Sequence, residues 1–156
     1  MADFKEQFKQ KYSSIPTYFI ELGVFAPNST RKRTKVLLGV TNAELMYIHE
    51  KGSPINNIPS RPVLRMTIDY TKQQLLAKSV KKALQLYVQT GSIEQYEAEL
   101  NRLCMRVQQY ARQIIYSNDG RLAPNSPAVA ARKKGNHPLF DTGQLARSIT
   151  CRLVKG

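Results

Sequence analysis

Ile93, Tyr96, Leu100, Leu103, Val107, Tyr110 and Ile114 recur at alternating spacings of three and four residues. That is the period of one helix face, and it predicts a helix over 92–117. Ser92 and Gln95 are placed as a capping box, with the Ser92 hydroxyl on the first turn and Gln95 reaching back. Asn118-Asp119-Gly120 stops the helix. Upstream, Leu76, Val80, Ala83, Leu84 and Tyr87 mark one face of a second helix running from Pro62 to about Thr90. Pro62 stands at its start, where a missing N–H does no harm, and Gly91 closes it. Two long helices joined so tightly form an antiparallel hairpin. Burying the seven-residue stripe is worth roughly 10–20 kcal/mol before conformational entropy is subtracted. It is therefore either the core of this chain or its interface with another.

The remaining patterns are shorter. Tyr18, Ile20, Leu22 and Val24 alternate with Phe19, Glu21, Gly23 and Phe25, which is a strand ended by Ala26-Pro27-Asn28. Val36, Leu38 and Val40 suggest a return strand, with Asn28-Ser29-Thr30-Arg31-Lys32-Arg33 as the basic tip of a hairpin. The tip is either a solvated turn or a grip on DNA or an acidic neighbour. Ile149, Cys151 and Leu153 alternate with Thr150 and Arg152 in a last, half-buried strand. The predicted fold is α/β in the α+β sense. A small antiparallel sheet from 17–26, 34–41 and 147–154 packs on the helix hairpin, all in a single domain over 1–156. Phe4 and Phe8 predict an amphipathic helix over 2–12, acting as a lid on the core or as an arm on a neighbouring subunit. Asn42 is placed as the N-cap of a short helix over 43–49. Gly52 to Pro59 form a loop, and 118–137 form an extended basic loop, broken by Pro124 and Pro127.

Charge is the outlying part of the composition: 24 basic against 11 acidic residues gives +13. Such a field attracts polyanions and makes copies of the chain repel one another. The charge is dispersed, with clusters at Arg31-Lys32-Arg33, Lys78-Lys81-Lys82 and Arg132-Lys133-Lys134 and no interleaved aromatics for stacking on bases. No apolar run is long enough to span a membrane, and Met1 to Gln10 lack the apolar segment of a signal peptide. Cys104 and Cys151 are read as buried, reduced thiols of a cytosolic product. His49-Glu50 lacks a second histidine at Ser53, and with His137 and two scattered cysteines it makes no metal-ligand spacing. Asp141-Thr142-Gly143 occurs once, after Pro-Leu-Phe, where an aspartic protease needs two copies between apolar strands. No catalytic site, metal or cofactor is expected.

Two segments carry a resemblance. Pro138-Leu-Phe-Asp141-Thr-Gly-Gln-Leu-Ala-Arg-Ser-Ile149 resembles the C-terminal signature of the tailed-phage virion-morphogenesis family of small neck, head–tail connector and tail-completion proteins. Tyr47-Ile-His49-Glu50-Lys-Gly52, followed by Ile58-Pro-Ser-Arg61-Pro-Val-Leu-Arg65, resembles that family's segment entering a long helix. The two stand in the family's order and span most of 34–154. Val63 stands where an aromatic is common, and Phe140 where a smaller aliphatic is.

The resemblance implies a structural virion protein, made in the bacterial host's cytoplasm. It would form a homo-oligomeric ring, hexameric or dodecameric, at a collar, tail-completion or tail-terminator position in the neck. Partners would be further copies of itself, the portal or head–tail adaptor, and tail proteins. Duplex DNA would pass through the lumen unread. Contact elements are expected at the 28–34 tip, the 52–60 loop and the 121–137 loop. The residues concerned are Arg31, Lys32, Arg33, Gly52, Ser53, Pro54, Asn56, Asn57, Arg61, Arg132, Lys133, Lys134 and Asp141. Two alternatives stand beside it: a sequence-independent nucleic-acid binder, and an assembly factor absent from the finished particle.

Overall fold

A computed structural model describes residues 4–30, 39–133 and 136–156. In chain order, α1 (Phe4–Ser13) leads to β1 (Tyr18–Val24), and α2 (Asn42–Lys51) follows. Then α3 (Val63–Tyr70), a π-helical stretch (Thr71–Leu75) and α4 (Leu76–Thr90) run as one rod that turns back into α5 (Ile93–Ser117). Finally come α6 (Pro127–Arg132), α7 (Gln144–Ser148) and β2 (Ile149–Lys155). The fold is α+β, with a two-stranded antiparallel sheet packed on the long helix α5.

Helix α5 follows its sequence pattern. Tyr96, Leu100, Leu103, Val107 and Ile114 are buried, joined by Cys104, Ala111 and Ile115, while Ile93 and Tyr110 are half-buried. The stripe is core. Its C-terminal end, at Ala111, Ile114 and Ile115, packs with Met46 of α2, Val63 of α3, Leu145 and Ala146 of α7, and Ile149 of β2. Its N-terminal end packs with Ala83 and Tyr87 of α4. The sheet spans both clusters, since Leu22 and Val24 lie on the first and Tyr18 and Leu153 on the second. Ser92 accepts the Gln95 N–H as a cap should, but the reciprocal half of the expected box is missing. The Ser92 N–H goes to the Thr90 hydroxyl instead, at 3.1 Å.

The helix expected from Pro62 to Thr90 is not uniform. Pro62 is the N-cap, outside the helix, and the 71–75 stretch is wider than an α-turn. The reason lies in the core-facing positions: the buried Val63, Thr67, Thr71, Ser79, Ala83 and Tyr87, with the half-buried Leu75, recur every fourth residue. A strict period of four drifts by about 40° per step on a helix of 3.6 residues per turn. One π turn brings the face back. Threonine back-bonding accompanies it, with Thr67 Oγ1 on Val63 O and Thr71 Oγ1 on Thr67 O, both at 2.7 Å. Ring stacking of Tyr70 on Tyr110, with centroids 3.8 Å apart, holds the junction against α5.

Other expectations are corrected. β1 pairs with β2 in a register from Tyr18 opposite Lys155 to Val24 opposite Ile149. Of the expected return strand, 34–38 lies outside the described residues, and 39–41 is not strand. Helix α2 is capped by Thr41, not Asn42: Thr41 Oγ1 accepts the Glu44 N–H while Glu44 Oε2 accepts the Thr41 N–H, at 2.8 Å. The last strand begins at Ile149 rather than 147, because α7 occupies 144–148. The 121–137 loop contains α6, whose Ser126 cap accepts the Val129 N–H. For the N-terminal helix, the side chains of Phe4 and Phe8 lie outside the described residues, as does the 31–33 tip.

Candidate assembly interface

Helix α2 is where the expected contact elements are rooted. At its first residue, the buried Asn42 amide donates to Asn28 O at 3.3 Å and Thr30 O at 3.2 Å. Its own N–H reaches Ser29 O at 2.7 Å, so the base of the 28–34 tip is tied to the helix start. At the other end, His49 O accepts the Arg61 N–H at 2.6 Å. Glu50 lends its carboxylate to the first turn of α3, accepting from Leu64 N at 3.0 Å and Arg65 N at 2.8 Å. Those N–H groups have no partner within the helix, and a carboxylate there also meets the positive end of its dipole.

Gly52 then leaves α2 at φ 77°, and a Cβ there would lie 2.9 Å from Ser60 N, so only glycine fits without shifting backbone. Ser53 and Ile58 form a two-way backbone bridge, at 2.8 and 2.9 Å. The bridge pins both feet of a loop whose turn is Pro54–Asn56, followed by Asn57 in the left-handed region at φ 50°. Asn56 donates to the Ser53 hydroxyl at 2.9 Å, closing the loop on itself. Pro54, Asn56 and Asn57 are exposed as expected, and Gly52 and Ser53 half-buried. Ile55 projects from this braced loop, 95% exposed. Tyr47, on α2, is 66% exposed. Exposed apolar anchors on rigid supports characterise the centres of protein interfaces. Sequence reading passed over Ile55; its signal was an isolated isoleucine with no helical or strand partner between Pro54 and Asn56.

Arg61 corrects an expectation. It is 4% exposed and meets no partner at the surface. Its guanidinium donates from Nε to Ala123 O and from Nη2 to Pro124 O, both at 2.7 Å, and Nη1 lies 3.2 Å from His49 Nδ1. Burial pushes its pKa below the ordinary value. The 52–60 loop and the start of the 121–137 loop are thus neighbours, joined through one side chain. Beyond that joint, Arg132 is exposed with its Nε on Ala128 O at 3.2 Å, and Lys133 Nζ donates to Phe140 O at 3.1 Å. Asp141 is exposed ahead of Gly143, which caps α7 at φ 73°, and Arg147 donates to Thr142 O at 2.9 Å. Arg31, Lys32, Arg33 and Lys134 lie outside the described residues.

A second charged feature sits on the helix hairpin. Glu99 of α5 is 1% exposed, and its carboxylate meets Lys82 Nζ at 3.1 Å, Arg102 Nη1 at 3.0 Å and Arg106 Nη2 at 3.4 Å. Arg106 also donates to the buried Ser79 hydroxyl at 3.0 Å. Burial alone would raise the Glu99 pKa, but its ion pairs with Arg102 and Lys82 outweigh burial and hold it below the ordinary carboxylate range. Three cations over one carboxylate leave a local surplus of positive charge across the seam of α4 and α5, with Lys78 one turn before Lys82 on α4. Among the described residues, no helix is long and apolar enough to cross a membrane. No family model, no curated protein and no solved structure matches this chain.

Proposed function

We propose that the chain is a structural subunit of a tailed-phage neck, assembling into a homo-oligomeric ring that joins head to tail. The observation that carries this reading is the common rooting of the contact loops. Helix α2 and Arg61 hold the base of the 28–34 tip, the 52–60 loop and the start of the 121–137 loop in one rigid set. Surfaces that differ from one another, fixed on one body, suit the head-to-tail contacts by which a ring closes. The resemblance adds support, because its residues His49, Glu50, Gly52 and Arg61 are those that build this framework. The test is electron microscopy of the neck together with mass spectrometry of purified particles. A ring of this polypeptide between portal and tail is expected, and its absence from finished particles would overturn the neck role.

A second reading, sequence-independent binding to duplex DNA, is favoured by the surplus of cations over Glu99. Phosphate contacts would show as a steep fall of affinity with salt. The neck role asks only that DNA pass, so it predicts weak binding with a shallow slope.

A further inference from the structure

Cys104 and Cys151 stand roughly 50 residues apart in sequence, yet α5 and β2 bring them together. Gln108, one turn beyond Cys104 on the same face of α5, accepts the backbone N–H of Cys151 at 3.0 Å. That bond fixes the strand residue opposite the 104–108 face, and Cys151 lies on the same side of β2 as Ile149 and Leu153, which join the core clusters on either side of Cys104 along α5. Both are free; Cys104 is 3% exposed, and Cys151 is partly open to solvent.

We propose that Cys104 and Cys151 form a redox modification site that closes to an intramolecular disulfide when a small disulfide oxidant such as glutathione disulfide is supplied. The facing Cys151 thiol holds Cys104 below its ordinary pKa, against the opposing effect of burial. The Cys104 thiol, with burial, pushes Cys151 up. The pair gives up one proton more readily than the second, and the resulting thiolate is the nucleophile. Oxidant approaches from the Cys151 side, where a protein sulfur displaces one glutathione thiolate and a mixed disulfide forms. The neighbouring sulfur then loses its proton and displaces the second. Two S–H bonds are lost, one S–S bond forms in the protein, and the oxidant's S–S bond becomes two thiols.

The product staples β2 to α5 and restricts the unfolded chain over that long loop. In a reducing cytoplasm the pair stays open. If the neck reading holds, release of particles into an oxidising medium would close it after assembly; the site itself does not depend on that reading.

The experiment treats the purified full chain with glutathione disulfide, then measures intact mass, thiols after denaturation, and thermal unfolding. The expected result is loss of two hydrogens, no free thiol, and a melting temperature higher by roughly 10 °C. Dithiothreitol should reverse all three, and Cys151→Ser should abolish the shift. Cys104→Ser should do the same; should its buried position prevent folding, Cys151→Ser alone decides. A lasting glutathione adduct on Cys151, two titratable thiols after treatment, or disulfides only between chains would overturn the proposal.

Discussion

A guanidinium taken out of water must find acceptors for its N–H groups, and Arg61 finds them on two separate parts of the chain. Its bonds to Ala123 O and Pro124 O leave those carbonyls dependent on it. Arg61→Ala should cost about 2–4 kcal/mol, because it strands buried acceptors as well as removing bonds. Arg61→Lys should recover only part, since a single ammonium cannot reproduce a planar fork aimed at two carbonyls. Urea denaturation reads both, and an unchanged midpoint for Arg61→Ala would return this residue to the surface. Glu99 supports a prediction in pH. Its folded pKa lies below its unfolded value, so its ionisation stabilises the fold fully above the unfolded value, near about 4.3. That contribution is lost as pH falls through the folded value. Thermal melts from pH 6 downward should therefore fall more steeply below about pH 4 for the wild type than for Glu99→Gln. Parallel curves would mean that the three cations do not favour the ionised form.

At the scale of the elements, helix α5 and the stretch before it show what a sequence can and cannot reveal. Leu103 is fully buried in the middle of the stripe, so Leu103→Ala should destabilise by about 2–5 kcal/mol, whereas Met105→Ala, on the solvent side, should change little. Calorimetry on the two variants checks this, and equal small shifts would place the stripe outside the core. The stripe was legible because helix period, capping residue and apolar character all agree over 25 residues. The rod from Val63 to Thr90 was less so. Its buried positions include Thr67, Thr71 and Ser79, whose hydroxyls are satisfied by neighbours that no local pattern reveals. The 52–60 loop falls where its prolines and glycines put it, but its bracing was not legible. Arg61 was assigned to the surface because arginine usually belongs there. Asn42, Glu50 and Gln108 act across distances in sequence that a reading by windows does not connect.

For the molecule as a whole, the two functional readings make opposite demands on salt. Copies carrying +13 repel, so a ring built on contacts such as Ile55 forms against that repulsion, and screening favours it. Binding to duplex DNA draws on the same charge with the sign reversed, and screening opposes it. Raising salt from 50 to 200 mM should therefore promote the ring, while a site making six to ten phosphate contacts would lose roughly 10³–10⁵ in affinity. Light scattering and duplex-DNA anisotropy on one preparation follow the two responses together. Ile55→Asp supplies the second axis. Ile55 is almost wholly exposed, so the variant should keep the wild-type melting temperature yet stay monomeric at every salt concentration. A variant that still assembles would take the 52–60 loop out of the ring contact. Assembly that weakens with salt in step with DNA binding would mean that charge, not the braced apolar loop, holds the copies together.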